Sequence, residues 1–291
     1  MSNSRRVSVL AAAIATLAMP VSAQRHVPGP VSPAPQPFSP ARVPGRLPAS
    51  VSVMWIGAHP DDEVPAAPLL ARWCGDGRSR CSLLTATRGE AGGCVRPDGC
   101  LPDLATVRSA EAGASSQYFG ADAIILSLPD GGGAVPPPWD IGAGGSAELV
   151  TTIAAFIRAE APELVLTFDP RHGTTCHPDH RAIAAIVLEA VKFLSAPPAV
   201  YLLETRLEID AQPLEIRFRS AAPGAIRFDA NELLVSTGGP AWNAVAGDMA
   251  RHPSQFDAAL LAAVSRVPAA DRAVYLAPAS TILQQPASTC P

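Results

Sequence analysis

From Val51 onward the chain alternates short apolar runs with longer segments of helical period. VSVMWIG (51–57), RCSLLTAT (80–87), ADAIILSLP (121–129), ELVLTFDP (163–170) and AVYLLET (199–205) are apolar almost without interruption. Continuous rather than alternating apolar character suits strands covered on both faces, and so predicts a parallel sheet. Segments near 103–119, 146–160 and 178–194 read as the intervening helices. The pattern is that of βαβ units and predicts an α/β fold, a Rossmann-like three-layer sandwich with a mainly parallel central sheet. Past Leu207 the pattern changes. EIRFRS and AIRFDANELLV alternate like exposed antiparallel strands, whereas GPAWNAVAGDMARH and SQFDAALLAAV read as helices, a C-terminal extension of one domain spanning 51–291.

In such sheets ligands bind outside the carboxyl ends of the strands. The polar motifs fall there: AHPDDE after the first strand, TRGE after the second, PDGG after the third and DPRHGTTCHPDH after the fourth. Three consecutive acids at one strand end repel one another unless a cation sits among them. Two histidines and one carboxylate, with a position left for water, make a catalytic zinc arrangement, and His59, Asp62 and His180 supply that set, one Zn2+ per chain. Asp61 is then free to take a proton from water as general base. His177 faces the same cavity as a partner for a developing oxyanion, with Asp179 placed to hold it protonated. A dinucleotide site is excluded at the first turn, which carries acids where pyrophosphate requires glycines and bare N–H groups. The glycine-rich stretch 128–146 matches no phosphate-cradling pattern and reads as a loop at the rim of the site.

Residues 1–23 show a basic start, an apolar run and small residues Val21 and Ala23 before Gln24, which predicts an export signal cleaved near Ala23. Arg5 and Arg6 leave the export route open. Residues 24–50 are rich in proline and read as an extended linker. A net charge of -4 with no basic run argues against nucleic acid as a partner, and no later apolar run reaches bilayer length, so stable membrane insertion is not expected. In an exported chain six cysteines are expected to pair. Cys74 with Cys81 and Cys94 with Cys100 are close in sequence, which would leave Cys176 with Cys290, although the sequence admits other connectivities.

The ordered set AHPDDE, TATRGEAGG, RSAEAGASSQYFGAD, LPDG, FDPRHGTTCHPDH and HPSQ resembles the successive motifs of the PIG-L or LmbE-like family of zinc de-N-acetylases, over roughly residues 51 to 200 and through HPSQ in the tail. The resemblance implies that His59, Asp62 and His180 are metal ligands, that Asp61 is the base and that His177 stabilises the oxyanion. It places Arg88 and Asp130 where relatives contact the sugar. Arg108 and Glu111, three apart on a helix, read as a structural ion pair. The segment DPRHGTTCHPDH is one residue longer than in many relatives and lacks a tyrosine found there. It adds His172 as a possible substrate contact and Cys176, which a disulfide would withdraw from zinc binding or nucleophilic attack. The function implied is an exported zinc-dependent hydrolase that removes the N-acetyl group from an amino sugar or glycoconjugate. The alternatives are hydrolysis of another amide in an amino-sugar conjugate and a non-catalytic glycan-binding protein on the same fold.

Overall fold

The computed structural model describes residues 51–75, 77, 79–134, 137, 139, 147–211, 214–220, 224–282 and 290. The expected signal, the proline-rich linker and most of the glycine-rich stretch lie outside the described residues. A seven-stranded sheet organises the molecule. It comprises β1 (Val53–Gly57), β2 (Cys81–Thr87), β3 (Asp122–Leu128), β4 (Leu164–Phe168), β5 (Ala199–Leu203), β8 (Ile226–Asp229) and β9 (Ala273–Pro278), in the order β3-β2-β1-β4-β5-β9-β8. β1 to β5 run parallel, and β9 and β8 complete the sheet in antiparallel pairing. β6 (Thr205–Ala211) and β7 (Leu214–Ser220) form a separate antiparallel pair.

The five strands expected from the apolar runs are all present. β1, β2 and β4 are buried along their whole length, as continuous apolar character requires, whereas β3 at the edge is partly exposed. Trp55 of β1 and Phe168 of β4 meet edge to face at 5.3 Å in the core. The helices are α1 (Ala67–Trp73), α2 (Leu104–Phe119), α3 (Ala147–Glu160), α4 (Gly173–Cys176), α5 (Pro178–Ala190), α6 (Asn243–Met249), α7 (Ala258–Ser265) and α8 (Ala279–Ile282). Strand order reverses direction between β1 and β4. Right-handed crossovers therefore put α1 and α2 on one face and α3 and α5 on the other. α5 lies against β1 and β4 and packs on α3, while α1 packs on α6.

The tail departs from its sequence pattern in two places. AIRFDANELLV is a strand only as far as Asp229, where the Asp229 carboxylate accepts from the Asn231 N–H and turns the chain. β9, not read from the sequence, inserts beside β5 so that the tail extends the main sheet. The six cysteines form three disulfides, Cys74–Cys81, Cys94–Cys100 and Cys176–Cys290. Among the described residues no helix is long and apolar enough to cross a membrane.

Candidate active site

β1 and β4 are neighbours whose outgoing connections leave toward opposite faces, which opens a crevice at their carboxyl ends. The turn after β1 carries His59, Asp61 and Asp62, and α4 with the start of α5 after β4 carries His177, Asp179 and His180. The sheet thus joins motifs about 120 residues apart: His59 Nδ1 lies 3.3 Å from His180 Nε2, a sequence separation of 121.

A third atom completes the cluster. Asp62 Oδ1 lies 2.9 Å from His180 Nε2 and 3.6 Å from His59 Nδ1. Atoms held about 2.0–2.2 Å from one tetrahedral zinc stand about 3.3–3.6 Å from each other, so the triangle has the size of a zinc ligand set. The outer atom of each of these three side chains is already engaged. His59 Nε2 faces Asp179 Oδ2 at 3.0 Å and Asp130 Oδ1 at 3.6 Å. His180 Nδ1 lies 2.8 Å from the Gly173 carbonyl, which makes it the donating nitrogen. Asp62 Oδ2 accepts from the Ala58 and His59 N–H groups at 2.6 and 2.8 Å. Both imidazoles and the carboxylate therefore turn their remaining lone pairs inward, as oriented metal ligands do. Two other groupings share His59, one with His177 and His180 and one with Asp130 and Asp179. In the triangle of His59, Asp62 and His180 every outer atom is hydrogen-bonded, whereas His177 accepts at Nδ1 from the Asp179 N–H and so carries its proton on the nitrogen that would face an ion. The His180 ring stacks on Phe168 at 4.3 Å, which fixes its plane.

Asp61 has the backbone of a left-handed residue, φ 94°, which a non-glycine adopts only under restraint. Arg108 of α2 supplies the restraint, donating to Asp61 Oδ2 at 2.9 Å, to the Pro60 carbonyl at 2.6 Å and to the Gly89 carbonyl at 3.0 Å. Burial raises the Asp61 carboxyl to about 6 against the opposing charge of Arg108. Burial lowers the affinity of His59 for a proton, but the charge of Asp62 and hydrogen bonds to Asp130 and Asp179 outweigh it and raise the imidazole well above its ordinary value. Asp62 is affected in the opposite sense: burial pushes it up, yet His180 and His59 hold it well below the ordinary range. An open cavity of about 280 Å³ is lined by His59, Asp61, Asp62, Asp130, His177 and His180, with Arg108, Ala91, Gly92 and Gly132 completing its wall.

The remaining expected site residues divide. Asp130 lines the cavity and accepts from the Ala91 and Gly132 N–H groups. Asp179 is fully buried and faces His59 and the Gly131 N–H, not the His177 ring it was expected to hold protonated. A Cβ at Gly131 would meet Asp179 at 2.7 Å, so this contact requires a glycine. His177 Nδ1 accepts from the Asp179 backbone N–H, and burial together with His180 and His59 lowers its pKa. The imidazole is thus a neutral donor through Nε2. His172 is only 1% exposed and faces Glu204 at 3.4 Å, buried beside Asp169, so it makes no cavity contact. Arg88 is exposed and does not line the cavity. Arg108 and Glu111 form no pair with each other, because long-range partners claim both: Asp61 takes Arg108, and Ser254 donates to Glu111 from both N and Oγ. The sequence reading also missed Glu63, Ser115, Asp248 and His252, a buried network that begins next to Asp62 in the chain. Only the HPSQ string pointed toward it.

A family model described as PIG-L, GlcNAc-PI de-N-acetylase, matches residues 54–191, the span that holds every residue of the cavity wall. Residues 54–191 belong to the PIG-L family. A 1D-myo-inositol 2-acetamido-2-deoxy-alpha-D-glucopyranoside deacetylase of Kineococcus radiotolerans is 31% identical over 172 residues, 50% of this chain and 47% of that protein. The chain therefore spans about half the length of this curated relative. The chain superposes on an N,N'-diacetylchitobiose deacetylase of Pyrococcus horikoshii with a TM-score of 0.52 and 19% identity, over 73% of this chain and 72% of the other. A 4-carboxy-2-hydroxymuconate hydratase of Pseudomonas putida gives a TM-score of 0.55 at 16% identity, over 78% and 95% of the two chains. These two structures establish a shared fold. Since one is a deacetylase and the other a hydratase, the shared fold does not choose the reaction, and the residues at the strand ends must.

Proposed function

We propose that the chain is a zinc-dependent N-deacetylase that hydrolyses the acetamide of an N-acetylated amino sugar or a related glycoconjugate to acetate and a free amine. The observation that carries the reading is the convergence of His59 Nδ1, Asp62 Oδ1 and His180 Nε2 beside an unligated carboxylate, Asp61. When bound, zinc supplies Lewis acidity, polarising a carbonyl oxygen and acidifying water. The protein's own groups do the rest. Asp61, oriented by Arg108 and with its carboxyl raised to about 6, takes the proton of the attacking water near neutral pH. His177 donates from Nε2 to the oxygen that becomes negative, and Asp130 with Asp179 holds the His59 ring in its ligating orientation. Asp61 then returns its proton to the departing nitrogen.

The PIG-L membership of residues 54–191 and the deacetylase of Kineococcus radiotolerans favour an N-acetylated sugar over another amide. A spare carboxylate beside the ligand set speaks against a purely glycan-binding role, since binding alone requires no base. The signal-like residues 1–23 and the paired cysteines support an exported protein. The test is zinc content of the purified protein together with acetate release from N-acetylglucosamine derivatives, compared with Asp61→Asn. Retained zinc with acetate release lowered at least about 100-fold is the expected result. Unchanged release in Asp61→Asn, or no release from any N-acetylated sugar by zinc-loaded wild type, overturns the assignment.

A further inference from the structure

α4 is a single turn lodged between β4 and α5, and its backbone is unusual. Gly173, Thr174 and Cys176 have φ of 53°, 63° and 64°. The left-handed region is open to glycine but disfavoured for cysteine and still more for β-branched threonine. The turn nevertheless serves the proposed metal site. The Gly173 carbonyl accepts from His180 Nδ1 at 2.8 Å, which leaves Nε2 as the ligating atom, and a Cβ at Gly173 would meet the His180 Cβ at 2.7 Å. Cys176 is followed directly by His177.

Little within the turn accounts for its shape. Thr174 Oγ1 is buried without a hydrogen-bond partner among the described residues, so the threonine side chain does not stabilise its own conformation. The backbone is tied by Gly173 N–H to the Asp169 carbonyl, by Thr174 N–H to His172 Nδ1 and by Cys176 N–H to the His172 carbonyl. Thr175 Oγ1 and the Gly173 carbonyl also meet His180 Nδ1, and a further tie is covalent. Cys176 is bonded to Cys290, 114 positions away, with Cα atoms 5.7 Å apart. The other two disulfides close short loops of sequence separation 7 and 6 that lie apart in sequence from the turn. Cys176 and Cys290 are both partly exposed.

We propose that the Cys176–Cys290 disulfide is a positioning bond for the metal site: it holds the left-handed turn, and through the turn it holds His180 and His177, so that zinc retention and turnover depend on the thiol redox state. The inference rests on the zinc-hydrolase reading above. A phosphine reductant brings about the change in a balanced step. The S–S bond breaks, phosphorus is oxidised to the phosphine oxide with oxygen from water, and the two hydrogens of that water leave Cys176 and Cys290 as thiols.

The experiment measures zinc affinity by competition with a chromophoric chelator, and kcat and KM for acetate release. Both are followed in wild type, Cys290→Ser and Cys94→Ser/Cys100→Ser, with and without tris(2-carboxyethyl)phosphine. In Cys290→Ser, zinc affinity and kcat are each expected to fall at least about tenfold, with KM changed less than about threefold. The phosphine brings folded wild type to the same values and adds nothing to Cys290→Ser, whereas Cys94→Ser/Cys100→Ser behaves as wild type. Reduction of the already folded wild type covers the case in which Cys290→Ser does not fold. Zinc affinity and kcat unchanged by reduction, even with a lowered Tm, overturn the inference and leave the function standing. Failure of oxidised wild type to bind zinc at all overturns both.

Discussion

Glu63 Oε1 and His252 Nε2 lie 3.0 Å apart although 189 residues separate them. Glu63 adjoins the proposed ligand Asp62 and points away from the cavity into a pocket that His252, Ser115 and Asp248 close with essentially no exposure. Burial alone would lower the His252 pKa, but the charge and hydrogen bond of Glu63, with Asp248 and Asp61 adding to them, raise it to about 9. Since the folded value lies above the ordinary 6.5, the pair's stabilisation is complete below about pH 6.5 and is lost as pH rises through about 9, up to about 3 kcal/mol for a shift of this size. Urea midpoints are expected to fall between pH 6.5 and 9 in wild type by more than in His252→Gln. Parallel curves for the two proteins would remove the pair from the pH dependence.

Arg108 gives a second prediction. Its guanidinium forks to Asp61, Pro60 and Gly89 from a position only 4% exposed. A lysine cannot reproduce that fork, and methionine leaves the partly buried Asp61 charge without its bonded partner. Because burial already pushes Asp61 upward and Arg108 is the largest influence that opposes it, ahead of His252, removing the guanidinium raises the carboxyl further and takes the base out of its charged form at neutral pH. Arg108→Met should lower kcat about 100-fold and stability by about 3–5 kcal/mol, read from acetate release and denaturant unfolding. An active Arg108→Met protein with normal stability would show that Asp61 needs no such support.

His172 and Arg88 test where the cavity ends. His172→Ala strips a partner from Glu204 and from the Thr174 N–H, so it should cost about 1–3 kcal/mol in stability while leaving KM unchanged. Arg88 is exposed, and Arg88→Ala should alter stability by less than about 0.5 kcal/mol and leave KM unchanged. A raised KM in either variant, measured on the same N-acetylated sugar, would mean that the bound substrate reaches beyond the cavity described above.

Part of this architecture was legible in the sequence. The parallel strands were, because burial on both faces writes itself as unbroken apolar runs, and so was the gathering of His59, Asp62 and His180 at one rim, because each His-Pro-Asp follows a strand of the same sheet. AVYLAP in β9 has the same apolar character as the other strands, yet nothing local says that it pairs antiparallel with β5. Arg108 and Glu111 read as a pair from their helical spacing, but their true partners come from 47 and 143 residues away, which spacing does not encode. His172 misled for the converse reason. It shares a loop with the site, but its ring turns toward Glu204 on the neighbouring strand connection.

Zinc itself should separate ligands from donors. A ligand that binds only the folded state stabilises it by RT ln(1 + [L]/Kd), about 2.7 kcal/mol at one hundred times Kd. For a domain of this size that is a rise in Tm of roughly 5–10 °C. His180→Ala and Asp62→Ala each remove one corner of the triangle and should abolish the rise. His177→Ala keeps the three converging atoms, so the rise should persist while kcat for acetate release falls, since the lost Nε2 donor serves the oxyanion and not the ion. Differential scanning fluorimetry with and without zinc, on protein first stripped by a chelator, gives the comparison. If His177→Ala loses the zinc-dependent rise while His180→Ala keeps it, the ring of His177, 4.9 Å from those of both His59 and His180, is the ligand, and the roles assigned to the two residues exchange.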